Sequence, residues 1–348
     1  MFSSYIADGA ITRIEEVLRS GYLSDGKVVE EFEREFEKVF NLPVGSFVTT
    51  NSGTSALHLA LETLGVKGEV LLPANTFVAT GMAVLMAGCT PVFCDIYTNG
   101  TINSMEVRKR IGPKTGAVIG VNWAGQTCIS SLLEAICKEA GIPLIIDGAQ
   151  SLGVSVGGDA YCYSFQATKH LTTGDGGGIH FPDFVHANRA RRLRWFGISK
   201  DTSVGMLGER EYELKRVGYK YHMNDYAATL GLANLEGITE RFEYYKEIAE
   251  YYAKHLKFFV ACDWEFENAY WAMPIEVGDV VRFTKFCRER GVPCSIIHRG
   301  IDHNPVFGGP YDLPVQREWE RTVTHLPIHM DITLEDAAWI CNEVNQYE

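Results

Sequence analysis

Residues 69 to 96 read EVLLPANTFVATGMAVLMAGCTPVFCDI, and from Val70 to Cys94 there is no charged side chain. An uncharged run of that length invites a membrane reading. Pro73, Asn75, Thr76, Thr80 and Pro91 break it up, so it divides better into a strand EVLLP, a helix TFVATGMAVLMAG and a strand TPVFCDI. The same alternation continues outward. Upstream lie an amphipathic helix EEFEREFEKVF, a strand SFVTT and a helix SALHLALETLG. Downstream come a helix around MEVRKRI, a strand GAVIGVNW, a helix SSLLEAICKEAG and a strand PLIID. This order predicts an α/β fold, with a mostly parallel sheet covered by helices on both faces.

Past Asp147 the strands shorten through AYCYSF and GGIHF, and a long helix is expected from about Asp225 to Leu256. A smaller α+β region follows, with strand WAMPIEV, helix VVRFTKFCRERG and strand PCSI. The expected division is a large domain over residues 1–235 and a small one over 236–348, with no Gly/Ser linker to mark it.

The composition narrows the classes. The 348 residues are 46% apolar and 22% charged, as in an ordinary globular protein, and the net charge of −12 is spread along the chain. General nucleic-acid binding is not expected of such a chain, and an anionic ligand must be met by local basic groups or helix N-termini. Nine cysteines, an odd count without a C-x-x-C pair, fit reduced thiols in a cytoplasmic protein. MFSSYIADGAITRIEE meets acidic residues before any apolar run, so no signal peptide is read there.

In open parallel sheets ligands bind at the carboxyl ends of the strands, so the residues just past SFVTT, EVLLP, PLIID and AYCYSF matter most. After SFVTT, Asn51-Ser52-Gly53-Thr54-Ser55 opens directly into a helix, which reads either as an N-cap or as a phosphate cradle of backbone N–H groups and hydroxyls. Asp147, ending PLIID, reads either as a cap or as a carboxylate for a metal, a ribose or a protonated ring nitrogen. Lys169 lies in SFQATKHLTTGDGGG, where three glycines let backbone approach a ligand closely. A lysine held there with its pKa lowered is a Schiff-base nucleophile. Phosphate cradle, carboxylate and lysine together are the parts list of pyridoxal phosphate (PLP) chemistry, and Phe77 offers a ring to stack on the pyridine or a core aromatic.

Eight blocks in order then resemble one family: SGYLSDG at 20–26, TNSGTSALHLAL at 50–61, PANTFVAT at 73–80, VNWAGQ at 121–126, IIDGAQSLG at 145–153, SFQATKHLTTGDGG at 164–177, GYKYHMND at 218–225 and LPIH at 326–329. The chain resembles the DegT-type sugar aminotransferases, which have the aspartate aminotransferase (type I) PLP-dependent transferase fold. The resemblance implies that Lys169 carries the cofactor aldehyde and shuttles the proton. It makes Asp147 the partner of the pyridinium nitrogen, sets Gln150 near the ring hydroxyl, gives the phosphate to Thr54, Ser55 and Ser164, and places Phe77 on the ring face. Dehydratases of the family have His in place of this lysine, so Lys169 favours transamination. In GYKYHMND the family often has an Asn that reaches a phosphate across a dimer. Here Lys220 and His222 stand at the variable positions, and His222 is the expected cofactor contact. His303 and His329 are expected near the substrate, and Arg299 is the candidate for its diphosphate. The chain is short between Leu256 and Trp271, where a substrate loop would lie.

His325 and His329 are four apart but straddle Pro327, so no metal site is expected. The resulting expectation is a homodimeric PLP-dependent aminotransferase taking an amino group from glutamate. The acceptor is a nucleotide-linked keto sugar, and the tyrosine-rich GYKYHMND favours C4 of a 4-keto-6-deoxyhexose. The alternatives are a PLP-dependent sugar dehydratase, a keto-cyclitol aminotransferase and a non-catalytic PLP- or nucleotide-sugar-binding regulator.

Overall fold

The computed structural model describes residues 2–128, 131–199, 208–209, 211–262 and 267–348. The strands are β1 (Phe47–Thr50), β2 (Glu69–Pro73), β3 (Thr90–Cys94), β4 (Thr115–Val121), β5 (Leu144–Asp147), β6 (Ala160–Ser164), β7 (Gly177–His180), β8 (Phe259–Val260), β9 (Ala272–Glu276) and β10 (Val323–Pro327). The first seven form one sheet in the order β1-β7-β6-β5-β4-β2-β3. From β3 to β6 every pairing is parallel, and β7 runs antiparallel to both β6 and β1. The continuous apolar runs follow from burial on both faces. Phe47 and Ile146 pack in one apolar cluster, whereas their chain neighbours Val48 and Ile145 pack in another, and all four are buried. Each such side chain taken out of water is worth about 1.5–3 kcal/mol.

The uncharged stretch resolves as expected into β2, a helix Val78–Met86 and β3. Among the described residues no helix is long and apolar enough to cross a membrane, and no two cysteines are joined in a disulfide.

Two expectations need correction. The long helix from Asp225 is two helices, Asp225–Leu235 and Ile238–His255, because Gly237 takes φ 66°, a left-handed conformation that ends one helix and turns the chain into the next. PCSI is not a strand. Its Ser295 makes a single bridge to His325, and Pro293 lacks the N–H that a ladder needs. The C-terminal sheet is instead β10-β9-β8, antiparallel, with the helices Ile238–His255, Val280–Arg290 and Leu334–Val344 sharing its apolar cluster. In the short connection between Leu256 and Trp271, residues 263–266 lie outside the described residues.

Two of the quoted blocks meet beside the sheet edge. Asp225 Oδ1, from GYKYHMND, accepts the N–H of Gly26 at 3.0 Å and of Val29 at 3.2 Å, closing the start of the helix Lys27–Val39. A Cβ on Gly26 would sit 2.3 Å from Asp225 Oδ2, which is why SGYLSDG ends in glycine.

Candidate active site

The carboxyl ends of β1, β2, β4, β5 and β6 lie along one edge of the sheet, and the loops leaving them enclose a cavity of about 440 Å³. Thr54, Phe77, Asp147, Gln150, Ser164 and Lys169 all line it.

At one end is the start of the helix Gly53–Leu64. Ser52 and Ser55 form a capping box: Ser52 Oγ takes the Ser55 N–H at 3.1 Å, and Ser55 Oγ takes the Ser52 N–H at 3.0 Å. Ser55 Oγ also donates to Asn51 Oδ1 at 2.7 Å. The Ser55 hydroxyl thus serves the cap, and Ser55 is not among the residues lining the cavity. Gly53, Thr54 and Ser164 form the wall, with the first N–H groups of the helix among them. Close approach here requires glycine, since a Cβ on Gly53 would meet Ser164 Cβ at 2.8 Å and one on Gly177 the Ser52 carbonyl oxygen at 2.5 Å. The cap reading of this turn is realised by Ser52 and Ser55, while Gly53 and Thr54 face the cavity.

At the other end Asp147 is buried. Thr80 Oγ1 donates to its Oδ2 at 2.7 Å and the Ala149 N–H to its Oδ1 at 3.1 Å. Burial pushes the carboxyl above the usual carboxylate range, and Thr80, the Ala149 N–H and the Lys169 charge pull it partly back. A cation placed against it would relieve that burial cost. Burial also pushes Lys169 down to about 8, opposed by Asp147. Gln150 Oε1 accepts the Ala124 N–H at 2.8 Å, which leaves its NH₂ as the donor available to a ligand. The Phe77 ring is exposed at the cavity, 5.1 Å from the His298 ring.

The remaining expected residues are elsewhere in this chain. His222 stands edge-on to Trp195 at 4.5 Å with Nε2 3.3 Å from Ser24 Oγ, and exposed Lys220 has its Nζ 5.7 Å from the same indole. Arg299 is exposed and outside the lining. Nor do His303 and His329 line the cavity. His329 is partly buried beyond β10, and burial lowers its pKa. His303 Nε2 lies 2.9 Å from Glu320 Oε2 and 2.6 Å from Arg317 Nη1. Asp302, His303 and Glu320 have ligand-type atoms within 4.8 Å of one another. The Arg317 guanidinium binds both Asp302 and Glu320, so the cluster is held by an organic cation.

His298 and Trp271 line the cavity without having been singled out as site residues. His298 adjoins Arg299 in sequence, but nothing in a lone His-Arg pair says which of the two turns inward. Burial and the Lys169 charge push His298 down to about 4, so it is neutral at ordinary pH. Thr80 had a readable signal, lying four residues after Thr76 inside PANTFVAT.

A helix N-terminus, a buried carboxylate that a cation would relieve and a lysine of depressed pKa thus share one cavity at the strand ends of this α/β sheet. The chain belongs to the DegT/DnrJ/EryC1/StrS aminotransferase family, whose profile matches residues 5–345. It is 30% identical over 350 residues to the dTDP-4-dehydro-2,3,6-trideoxy-D-glucose 4-aminotransferase of Saccharopolyspora spinosa, covering 93% of this chain and 89% of that enzyme. It is 32% identical over 254 residues to the GDP-perosamine synthase of Vibrio cholerae, a match that covers 70% of this chain and 66% of that enzyme's length. The crystal structure of the aminotransferase TlmJ from Streptoalloteichus hindustanus superposes with a TM-score of 0.91 at 27% identity, over 99% of this chain and 97% of that one.

Proposed function

We propose that this chain is a PLP-dependent sugar aminotransferase, acting on a nucleoside-diphosphate-linked keto sugar with glutamate as donor and aminating C4 of a 4-keto-6-deoxyhexose. The observation that carries the cofactor reading is the convergence of Lys169, Asp147 and the Gly53 helix start on one cavity. The relatives support the substrate class: one name specifies a dTDP-linked 4-dehydro sugar and a 4-aminotransferase, the other a GDP-linked product. Because the two nucleotides differ, the shared chemistry is a diphosphate-linked sugar with a ring ketone.

Bound in the cavity, PLP supplies an aldehyde that carries the amino group and a ring that takes up electrons. The chain's residues do the rest. Thr54, Ser164 and the helix N-terminus hold the phosphate. Asp147, braced by Thr80, keeps a proton on the ring nitrogen. Phe77 would offer its ring to the cofactor's, and the Gln150 NH₂ would be a donor to it. Lys169 accepts and returns the proton at Nζ, a role suited to an amine with a pKa near the working pH. His298, on the wall beside Phe77, takes the substrate-side position expected of His303 and His329, with Arg299 next to it for the diphosphate. A homodimer in which Lys220 or His222 serves the neighbouring site, a cytoplasmic location, and large and small domains over 1–235 and 236–348 complete the reading.

Borohydride reduction of PLP-loaded protein and peptide mapping should find the cofactor on Lys169. An adduct on another lysine would overturn the site. A panel of nucleotide-linked 3-keto and 4-keto sugars with glutamate, followed by NMR of the product, tests the substrate; nitrogen at C3 refutes the position.

A further inference from the structure

Lys169 is held unusually on both sides. Its Nζ lies 4.2 Å from the ring centroid of Trp271, a buried residue 102 positions further along the chain. Trp271 Nε1–H donates to the carbonyl of Thr168 at 3.2 Å. His170 Nε2 is 2.8 Å from the Ala269 carbonyl, which can only accept, so the ring donates from Nε2. Both neighbours of the lysine are therefore tied to the segment that presents the indole. The turn after β4 grips the same segment from another direction, through Ala269 N–H to Gly125 O at 2.9 Å and Trp271 N–H to Ala124 O at 3.2 Å. There a Cβ on Gly125 would come within 2.9 Å of the Trp271 nitrogen. The ring of Phe2 stacks on the indole at 4.7 Å and 19°, and Ser4 Oγ–H donates to Ala167 O at 2.6 Å, two residues before the lysine.

We propose that Trp271 is a positioning residue for Lys169, its clamped indole giving the protonated amine a resting place at the cavity wall. The idea rests on the PLP reading for its purpose. When not bonded to the cofactor, Lys169 would be a free amine on four rotatable bonds. It must take up one proton at Nζ and return it a short distance away. An aromatic face attracts the ammonium and has little hold on the neutral amine, so the indole retains the side chain while it carries the proton. Among the described residues, Asp147, His170 and His298 interact with the Lys169 charge and Asp175 shares its cavity, and all four remain when Trp271 is changed.

The test uses the PLP-free full-length protein. The pH dependence of Lys169 modification by fluorodinitrobenzene, followed by peptide mass spectrometry, reads the amine's pKa in the native chain, Trp271→Phe and Trp271→Leu. Loss of the aromatic face in Trp271→Leu should lower that pKa by about half a unit to one and a half units, with a smaller drop of the same sign in Trp271→Phe. A purely packing role predicts the opposite sign, because a loosened wall admits water and returns the amine toward its ordinary value. An unchanged or raised pKa overturns the proposal. If Trp271→Leu does not fold, Trp271→Phe decides by the same sign. In PLP-loaded protein the half-reaction with glutamate should lose about tenfold in rate at unchanged donor KM. If borohydride places no cofactor on Lys169, the PLP reading fails while the pKa result on the PLP-free chain still stands.

Discussion

The two walls of the cavity were built by different means. One wall comes from strand ends, where Asp147 and Ser164 close β5 and β6, and Thr54 and Lys169 follow β1 and β6 within a few residues. The other comes from the C-terminal third, where Trp271 precedes β9 and His298 sits in an irregular loop held at Ile301 N–H to Ala74 O, 3.0 Å. On the first wall a strand ends, a side chain is fixed by the sheet, and its neighbours in space are set by strand order. On the second, position depends on long-range contacts such as the Gly300 N–H to Glu320 at 2.8 Å and the Arg317 ion pairs. Short motifs identify residues of the first kind. They say less about residues of the second kind: His298 lines the cavity, whereas His303 does not.

If the strand-end wall carries the chemistry, changes there must cost far more than changes on the loop wall. Lys169→Ala should lose at least about 10³-fold in turnover, since it removes both the covalent anchor and the proton carrier. Retention of a tenth of the activity, measured with saturating PLP, would break the comparison outright.

Asp147→Asn should lose about 10²-fold or more in turnover while PLP binding, followed by absorbance, weakens far less, because the phosphate contacts remain. Equal losses of binding and turnover would make Asp147 a cap and not the ring's counter-ion.

The depressed pKa of Lys169 sharpens the same wall. Below about 8 the amine is protonated and cannot attack the PLP aldehyde; above it the amine is free. Capture of PLP by PLP-free protein should therefore rise about tenfold per pH unit below 8 and level off above it. A rate that keeps climbing to pH 10 would show an ordinary, solvated lysine.

The loop wall should answer more weakly and through substrate. His298→Ala should raise the KM for the nucleotide sugar about threefold to tenfold, the scale of one hydrogen bond, with little change in cofactor absorbance. The smallest effects belong to Arg299→Ala, about twofold to fivefold on the same KM, and to His303→Ala, within about twofold. A larger KM effect from His303 than from His298 would reverse the assignment on this wall.

The course of the main chain was legible in its periodicity. The uncharged run from Val70 to Cys94, the strand PLIID and the glycines after Lys169 each state a local requirement: burial on both faces, a strand end, close backbone approach. Gly237 was legible as a glycine but not as a break, because the flanking helical pattern continues through it and its positive φ appears only in the fold. The Ser52–Ser55 pair likewise allowed two roles. The cap hydrogen bonds assigned Ser55 inward to the helix and left Thr54 to the cavity.

By itself the sequence determined the α/β order of elements, the strand ends that matter and the lysine, carboxylate and helix start that suit one cofactor, because each depends on residues near in the chain. Only the tertiary structure decided that Trp271 covers Lys169, that Thr80 braces Asp147 and that His298 faces inward while His303 is drawn into the Arg317 cluster. Those choices depend on which distant segments compete for the same space and the same hydrogen-bond partners, and that competition is settled only when the chain packs.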